Sequence, residues 1–202
     1  MTTFLLIRHA SHDLLGRVLT GRAPDVHLNA RGRQEAEDLA ERLANLPIRA
    51  LHTSPLERAH ETAWPLASKL RLPLRVQHGI DEIHVGEWTR KTFPELEPLP
   101  EWQRWNAERA TARCPGGESM QEVQDRIIGV LDALHAGHPD EHVALVSHGD
   151  VIKAALMHCL GLPLSCIHRF EISPASVSII AHHGTYAQVV LMNDTGTLAS
   201  AH

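Results

Sequence analysis

Histidine and arginine side chains stand at three separated points of the chain, each directly after a short apolar run. Arg8 and His9 follow the first run, the segment 54–58 with Arg58 follows the second, and His148 follows the third. A neutral imidazole is a competent nucleophile toward phosphorus, and an arginine guanidinium matches two oxygens of a phosphate group. These residue types together favour phosphoryl transfer through a histidine.

Transfer of a phosphoryl group to a histidine also needs a proton donor for the departing alcohol. Glu82, in an irregular middle segment, is the natural candidate, and Asp81 and Glu87 are neighbouring alternatives. The donor must keep its proton near neutral pH, and the nucleophile must present an unprotonated nitrogen. We therefore expect a raised pKa for Glu82 and a lowered pKa for His9 beside its arginines.

Short apolar runs that alternate with amphipathic stretches predict the elements that carry these residues. The predicted elements are strands over 3–7, 48–53 and 143–146, helices that start at Leu28-Asn29, Ser54-Pro55, Ser119 and Val151, and a closing hairpin over 176–181 and 188–192. Such a pattern predicts an α/β fold, a three-layer α/β/α sandwich with a mostly parallel central sheet, in one domain over 1–202. Ligands bind beyond the carboxyl ends of such strands.

The composition narrows the function classes. A net charge of -5 argues against general affinity for nucleic acid or anionic membranes, and no apolar run reaches the roughly 20 residues that span a bilayer. Three cysteines without metal-like spacing indicate reduced thiols and a cytoplasmic protein. The 16 histidines share no ligand spacing, so we expect no metal and no other cofactor. The oligomeric state is left open, with a homodimer as one alternative.

Six segments, in order, resemble the motifs of the histidine phosphatase superfamily, the phosphoglycerate mutase-like branch 1. They span nearly the whole chain, which makes the set far more specific than any one tripeptide. The segments are Leu6-Ile7-Arg8-His9-Ala10, Leu19-Thr20-Gly21-Arg22 with Leu28-Asn29-Ala30-Arg31-Gly32, Ser54 to Ala63, Asp81 to Trp88, Pro115 to Ser119, and Val146-Ser147-His148-Gly149.

The resemblance implies a metal-independent phosphomonoesterase that acts on a small phosphorylated metabolite. In such enzymes the first histidine carries the phosphoryl group, the arginines and second histidine bind it, and the acid protonates the leaving oxygen. The implied catalytic residues are His9, Glu82, His148, Arg8 and Arg58. The implied substrate-binding residues are Arg8, Arg58, Thr20, Gly21 and His148.

Four residues near the motifs depart from the family pattern or have no assigned role. Ala10 replaces the usual glycine, which predicts a backbone conformation open to both residues. Asp150 replaces a second glycine and is expected to begin the following helix, and His12 is close enough to line the pocket. Leu15 stands where the mutase branch carries asparagine, which favours hydrolysis.

Two other functions remain open beside the phosphatase. One is a 2,3-bisphosphoglycerate-dependent phosphoglycerate mutase, and the other is a non-catalytic binder of phosphorylated ligands. The sequence does not identify the substrate. Trp102 and Trp105, three residues apart, are expected either to cover one side of a pocket or to pack in the core.

Overall fold

The computed structural model describes residues 1–196 and contains a six-stranded mixed sheet. Its strands are β1 (Thr2–Arg8), β2 (Ile48–Thr53), β3 (Leu74–Val76), β4 (His142–Ser147), β5 (Val177–His182) and β6 (Ala187–Asp194). The spatial order is β3-β2-β4-β1-β5-β6. The first four strands of this order run parallel, whereas β5 pairs antiparallel with both β1 and β6.

Within residues 1–196, six helices surround this sheet. They are α1 (Ala30–Leu43), α2 (Glu57–Leu70), α3 (Phe93–Leu96), α4 (Pro100–Ala107), α5 (Met120–Gly137) and α6 (Gly149–Cys159), with 3-10 segments at His78–Ile80, Gly86–Trp88 and Leu164–Arg169. None of the helices within residues 1–196 is long and apolar enough to cross a membrane.

Two hydrophobic cores lie on opposite faces of the sheet. Leu5 and Ile7 of β1 pack with α1 and α2 in one core, whereas Phe4 and Leu6 pack with α5 and α6 in the other. Successive side chains of a strand point to opposite faces, so a strand buried on both sides is apolar throughout. This arrangement confirms the predicted three-layer α/β/α sandwich with a mostly parallel sheet. The prediction of one domain over 1–202 stays a prediction, because residues 197–202 lie outside the described part.

Side-chain caps explain where two of the predicted helices begin. Asn29 accepts a hydrogen bond from the amide of Gly32 at 2.8 Å and starts α1. Ser119 and Glu122 form the capping box that starts α5. The predicted helix α2 is present, but its predicted start at Ser54-Pro55 was wrong, because the helix begins at Glu57 after Leu56. Ser54 hydrogen-bonds to other groups described below.

The middle segment is more regular than the sequence pattern indicated. It contains the short helices α3 and α4, each with a proline in its first turn, where the missing N–H costs no hydrogen bond. Trp102 and Trp105 pack against Trp88 in edge-to-face geometry. Of the two open alternatives for these tryptophans, the structure therefore favours core packing.

The pairing of the central strands brings their carboxyl ends to one edge of the sheet. Arg8 at the end of β1 is level with Ser147 of β4, and Thr53 of β2 is level with Val146. The polar residues that follow these three strands therefore meet in one crevice.

Candidate active site

His9 lies at the centre of this crevice, directly after β1. Its side chain is buried, and its Nδ1 lies 2.9 Å from the carbonyl oxygen of Ala10. A carbonyl oxygen only accepts hydrogen bonds, so Nδ1 carries the proton and Nε2 presents a lone pair. The ring is therefore oriented and protonated as a nucleophile requires.

The two predicted arginines flank His9 with unused donors. Arg8 donates through Nη1 to the carbonyl of Ile172, and Arg58 donates through Nη2 to the carbonyl of Gly21 at 2.8 Å. Within the described part of the chain, Nε of both residues and Nη1 of Arg58 are buried without a hydrogen-bond partner. A buried guanidinium N–H without a partner is costly, and a bound anion would satisfy it.

His148 faces His9 from the start of α6. The two ring centroids are 5.1 Å apart, and the His148 side chain is fully buried. Its Nε2 lies 2.8 Å from the Oγ of Ser54, and its Nδ1 lies 3.4 Å from Nη2 of Arg58. The Nδ1 atom is therefore directed toward the Arg58 guanidinium.

The charge state of the histidines follows from this environment. Burial, followed by the charges of Arg58 and Arg8, lowers the pKa of His9 well below its ordinary value. Burial and Arg58 lower the pKa of His148 in the same direction. Both rings are accordingly neutral in the free protein at neutral pH, as expected for the nucleophile.

Glu82 reaches the same centre from the loop after the first 3-10 segment. Its Oε2 lies 3.7 Å from Nδ1 of His148, and its Oε1 accepts a hydrogen bond from the amide of Ile83. Burial, assisted by the charge of Asp150 and opposed by Arg58, raises the pKa of Glu82 to about 7. Because its pKa is raised mainly by burial, the Glu82 carboxyl retains a proton near neutral pH, as expected.

Two arginines hold the backbone of the Glu82 loop. Arg22 and Arg126 both donate to the carbonyl of Glu82, at 2.7 Å and 3.2 Å. The carboxylate of Glu118 accepts from both guanidinium groups and from the amide of His84. This network links the segment between β1 and α1, which carries Arg22, to the Glu82 loop and to α5. The sequence did not single out Arg22, Glu118 or Arg126 as site residues.

Thr20 and Gly21 were implied as substrate-binding residues, and the structure places them near His9. Both line a cavity of about 260 Å³ that opens next to His9 and Glu82. Gly21 has a φ of +48°, and a Cβ atom there would approach the Cγ2 of Val85 to 2.5 Å. Only glycine fits this turn, and its carbonyl accepts the hydrogen bond from Arg58.

The residues that depart from the family pattern also lie around this cavity. His12 lines it, with its ring centroid 5.4 Å from that of His9, and burial lowers the pKa of His12 to about 4. Leu15 and Asp150 line it as well. Asp150 lies in the first turn of α6, as expected, and 3.7 Å from Nη1 of Arg109. Ala10 has no positive φ, in agreement with the expected unstrained backbone.

Comparison with known proteins agrees with these observations. The family model of the histidine phosphatase superfamily (branch 1) matches residues 4–195. Phosphoserine phosphatase 1 of Hydrogenobacter thermophilus is 32% identical over 184 residues, which cover 89% of this chain and 86% of that protein. This relative supports the predicted class of phosphoric monoester hydrolases.

Two solved structures superpose on nearly the whole chain. Mycobacterial glucosyl-3-phosphoglycerate phosphatase has a TM-score of 0.85 at 26% identity, covering 95% of this chain and 98% of the other. A phosphoserine phosphatase mutant from Entamoeba histolytica, in complex with phosphoserine, has a TM-score of 0.86 at 25% identity, covering 98% and 100%. The predicted enzyme class, a phosphoric monoester hydrolase, is thereby confirmed, and the chain belongs to the histidine phosphatase superfamily, branch 1.

Proposed function

We propose that this chain hydrolyses a small phosphorylated metabolite, without a metal, through a phosphohistidine intermediate on His9. The observation that carries the proposal is the set of unpartnered guanidinium donors of Arg8 and Arg58 around a buried, neutral imidazole. These donors supply the positive charge that a phosphoryl group requires in its transition state.

The reaction would proceed in two balanced steps. The Nε2 lone pair of His9 forms a bond to phosphorus while the bond from phosphorus to the ester oxygen breaks, and Glu82 gives its proton to that oxygen. Water then attacks the phosphohistidine, and the Glu82 carboxylate takes the proton of the water. Phosphate leaves, and both side chains return to their starting states.

Hydrolysis is favoured over the two alternatives. A phosphoglycerate mutase must keep water away from its phosphohistidine, and the apolar Leu15 lines the cavity where that branch carries asparagine. A non-catalytic binder would not need Glu82, whose raised pKa suits a general acid near neutral pH.

The substrate is proposed to be small. The cavity of about 260 Å³ is slightly smaller than the roughly 300–1,000 Å³ of typical ligand sites. Phosphoserine, the substrate in the names of two similar proteins, is therefore the first metabolite to test. The cytoplasmic location and the homodimer stay predictions.

Hydrolysis of p-nitrophenyl phosphate in the presence of a chelator tests the proposal. We expect turnover by the natural chain and a loss of at least about 10³-fold in His9→Ala, because the nucleophile is absent. His60→Ala is the matched control, since this exposed histidine of α2 stacks on Trp64 away from the crevice. Turnover that survives in His9→Ala, or that requires added metal, would contradict the mechanism. Phosphate exchange far exceeding hydrolysis would indicate the mutase.

A further inference from the structure

The hydroxyl of Ser54 joins two buried groups that the proposed mechanism does not yet connect. Its Oγ lies 2.8 Å from Nε2 of His148 and 3.1 Å from Oδ1 of Asp81. All three side chains are buried, and the exposed fraction is 0% for Ser54 and His148. Hydrogen bonds between groups shielded from water are strong and geometrically selective.

The direction of each hydrogen bond follows from the donors available. The Asp81 carboxylate can only accept hydrogen bonds. It accepts one from the amide of Glu82 at 2.9 Å, and its other oxygen lies 3.6 Å from Nε of Arg22. The single hydroxyl proton of Ser54 therefore points to Asp81, and its lone pairs accept from the amide of Leu56 and from His148. Nε2 of His148 must then carry a proton.

The other ring nitrogen, Nδ1, is therefore unprotonated and presents its lone pair to the site where a phosphoryl group would bind. Nδ1 of His148 faces Nη2 of Arg58 at 3.4 Å and Oε2 of Glu82 at 3.7 Å. The Arg58 guanidinium can only donate, which agrees with an unprotonated Nδ1 in the free protein. The two ends of the ring thus require the same tautomer.

We propose that Asp81 and Ser54 are positioning residues that hold His148 in the Nε2–H tautomer, so that Nδ1 accepts a proton from the bound phosphoryl group. The inference rests on the proposed function. An ester that binds as a monoanion transfers its P–OH proton to Nδ1 and becomes a dianion, and the ring becomes an imidazolium. The imidazolium donates from Nδ1 to the phosphoryl oxygen and from Nε2 through Ser54 toward the Asp81 carboxylate.

Three substitutions separate this role from simple packing. Ser54→Ala removes the hydroxyl that connects His148 to Asp81, whereas Ser54→Thr retains it. Asp81→Ala removes the acceptor of the hydroxyl proton, which then turns toward Nε2 of His148 and favours the opposite tautomer. Ser176→Ala is the matched control, because Ser176 is a buried serine whose Oγ has no partner within the described residues.

The direct measurement is ¹⁵N NMR of the His148 ring, assigned by its disappearance in His148→Gln, before and after addition of inorganic phosphate. We expect the Nε2–H tautomer in the natural chain and protonation of both nitrogens with phosphate. Asp81→Ala, which removes the acceptor of the Ser54 proton, is expected to show the Nδ1–H tautomer. An Nδ1–H tautomer in the natural chain would overturn the inference, even if folding of the variants fails.

Kinetics provide the second test. We expect kcat to fall about 10- to 100-fold in Ser54→Ala and Asp81→Ala, with Ser54→Thr and Ser176→Ala within about threefold of the natural chain. Equal kcat in Ser54→Ala and Ser176→Ala would contradict the role. Absence of hydrolysis in the natural chain would contradict the proposed function instead, and the NMR result would still decide the tautomer.

Discussion

Nδ1 of His9 lies 2.9 Å from the carbonyl oxygen of the next residue, Ala10. This local contact orients the imidazole and leaves Nε2 free. The backbone of the same residue is held at its other end, because the amide of Ala10 donates to Oγ1 of Thr62 at 2.9 Å. Thr62 in turn donates to the carbonyl of Arg58 at 2.6 Å. The backbone that positions His9 is therefore linked to the helix that carries Arg58.

Thr62→Val is expected to loosen this link. Valine has nearly the same shape but lacks the hydroxyl, so the buried amide of Ala10 loses its acceptor. We expect a loss of about 1–3 kcal/mol in the free energy of unfolding and about a tenfold loss in kcat/KM. Urea unfolding and steady-state kinetics measure both quantities. Thr62→Ser, which keeps the hydroxyl, is the control, and a valine variant as active as the serine variant would contradict the role.

The activity is expected to fall above the pKa of Glu82, which is about 7. Deprotonation removes the proton that the leaving oxygen needs, so kcat/KM for an alkyl phosphate should decrease on the basic side. Glu82→Gln should abolish this basic limb and reduce the rate about 10²- to 10⁴-fold.

The choice of substrate sharpens this experiment. p-Nitrophenolate leaves readily without protonation, so Glu82→Gln should affect p-nitrophenyl phosphate much less than an alkyl phosphate. Glu87→Gln is the matched control, because Glu87 is exposed and was a sequence-based alternative for the acid. An unchanged basic limb in Glu82→Gln, or its disappearance in Glu87→Gln, would assign the acid elsewhere.

Arg58→Lys should weaken both phosphate binding and turnover. Lysine keeps the charge but cannot reproduce the planar fork that donates to Gly21 and leaves two nitrogens for the ligand. We expect kcat/KM to fall about 10²- to 10³-fold, and competitive inhibition by inorganic phosphate to require higher concentrations. Arg31→Lys, at an exposed ion pair with Glu35 on α1, is the control. Unchanged inhibition by phosphate in Arg58→Lys would show that another cation binds the ligand.

His52 is expected to limit stability in acid. It is buried on β2, and its Nε2 has no hydrogen-bond partner among residues 1–196. Burial, with the charges of Arg75 and His138, lowers its pKa to about 4. As the pH falls below the ordinary value of 6.5, the unfolded chain binds a proton there that the folded chain does not. The free energy of unfolding therefore decreases as the pH falls from about 6.5 to about 4.

His52→Leu removes the histidine that binds a proton in the unfolded chain but not in the folded chain. The loss of stability between about pH 7.5 and about pH 4.5 should be smaller by about 1–2 kcal/mol than in the natural chain. Urea unfolding at the two pH values measures this difference, with exposed His60→Leu as the control. The same acid sensitivity in His52→Leu as in the natural chain would assign the effect to other groups.

The positions of the main chemical groups were predictable from the sequence for a local reason. Short apolar runs followed by Arg8-His9 and by His148 mark the carboxyl ends of buried strands, and parallel strands gather those ends at one edge. The caps at Asn29 and Ser119 were predictable for the same reason, since each depends on residues only three positions away. The short helices of the middle segment were missed because Pro94 and Pro100 indicated interruptions, although proline also begins helices.

Only the tertiary structure decided what Ser54 and the neighbouring acids do. The residue after Ser54 is proline, so local reasoning placed the serine at a helix start, whereas its partners Asp81 and His148 are 27 and 94 residues away. Asp81 and Glu82 are adjacent and chemically similar, so the sequence favoured Glu82 as the acid but kept Asp81 as an alternative. The fold distinguishes them because one side chain turns to Ser54 and the other to His148. Such directions depend on packing between distant segments, which no local pattern records.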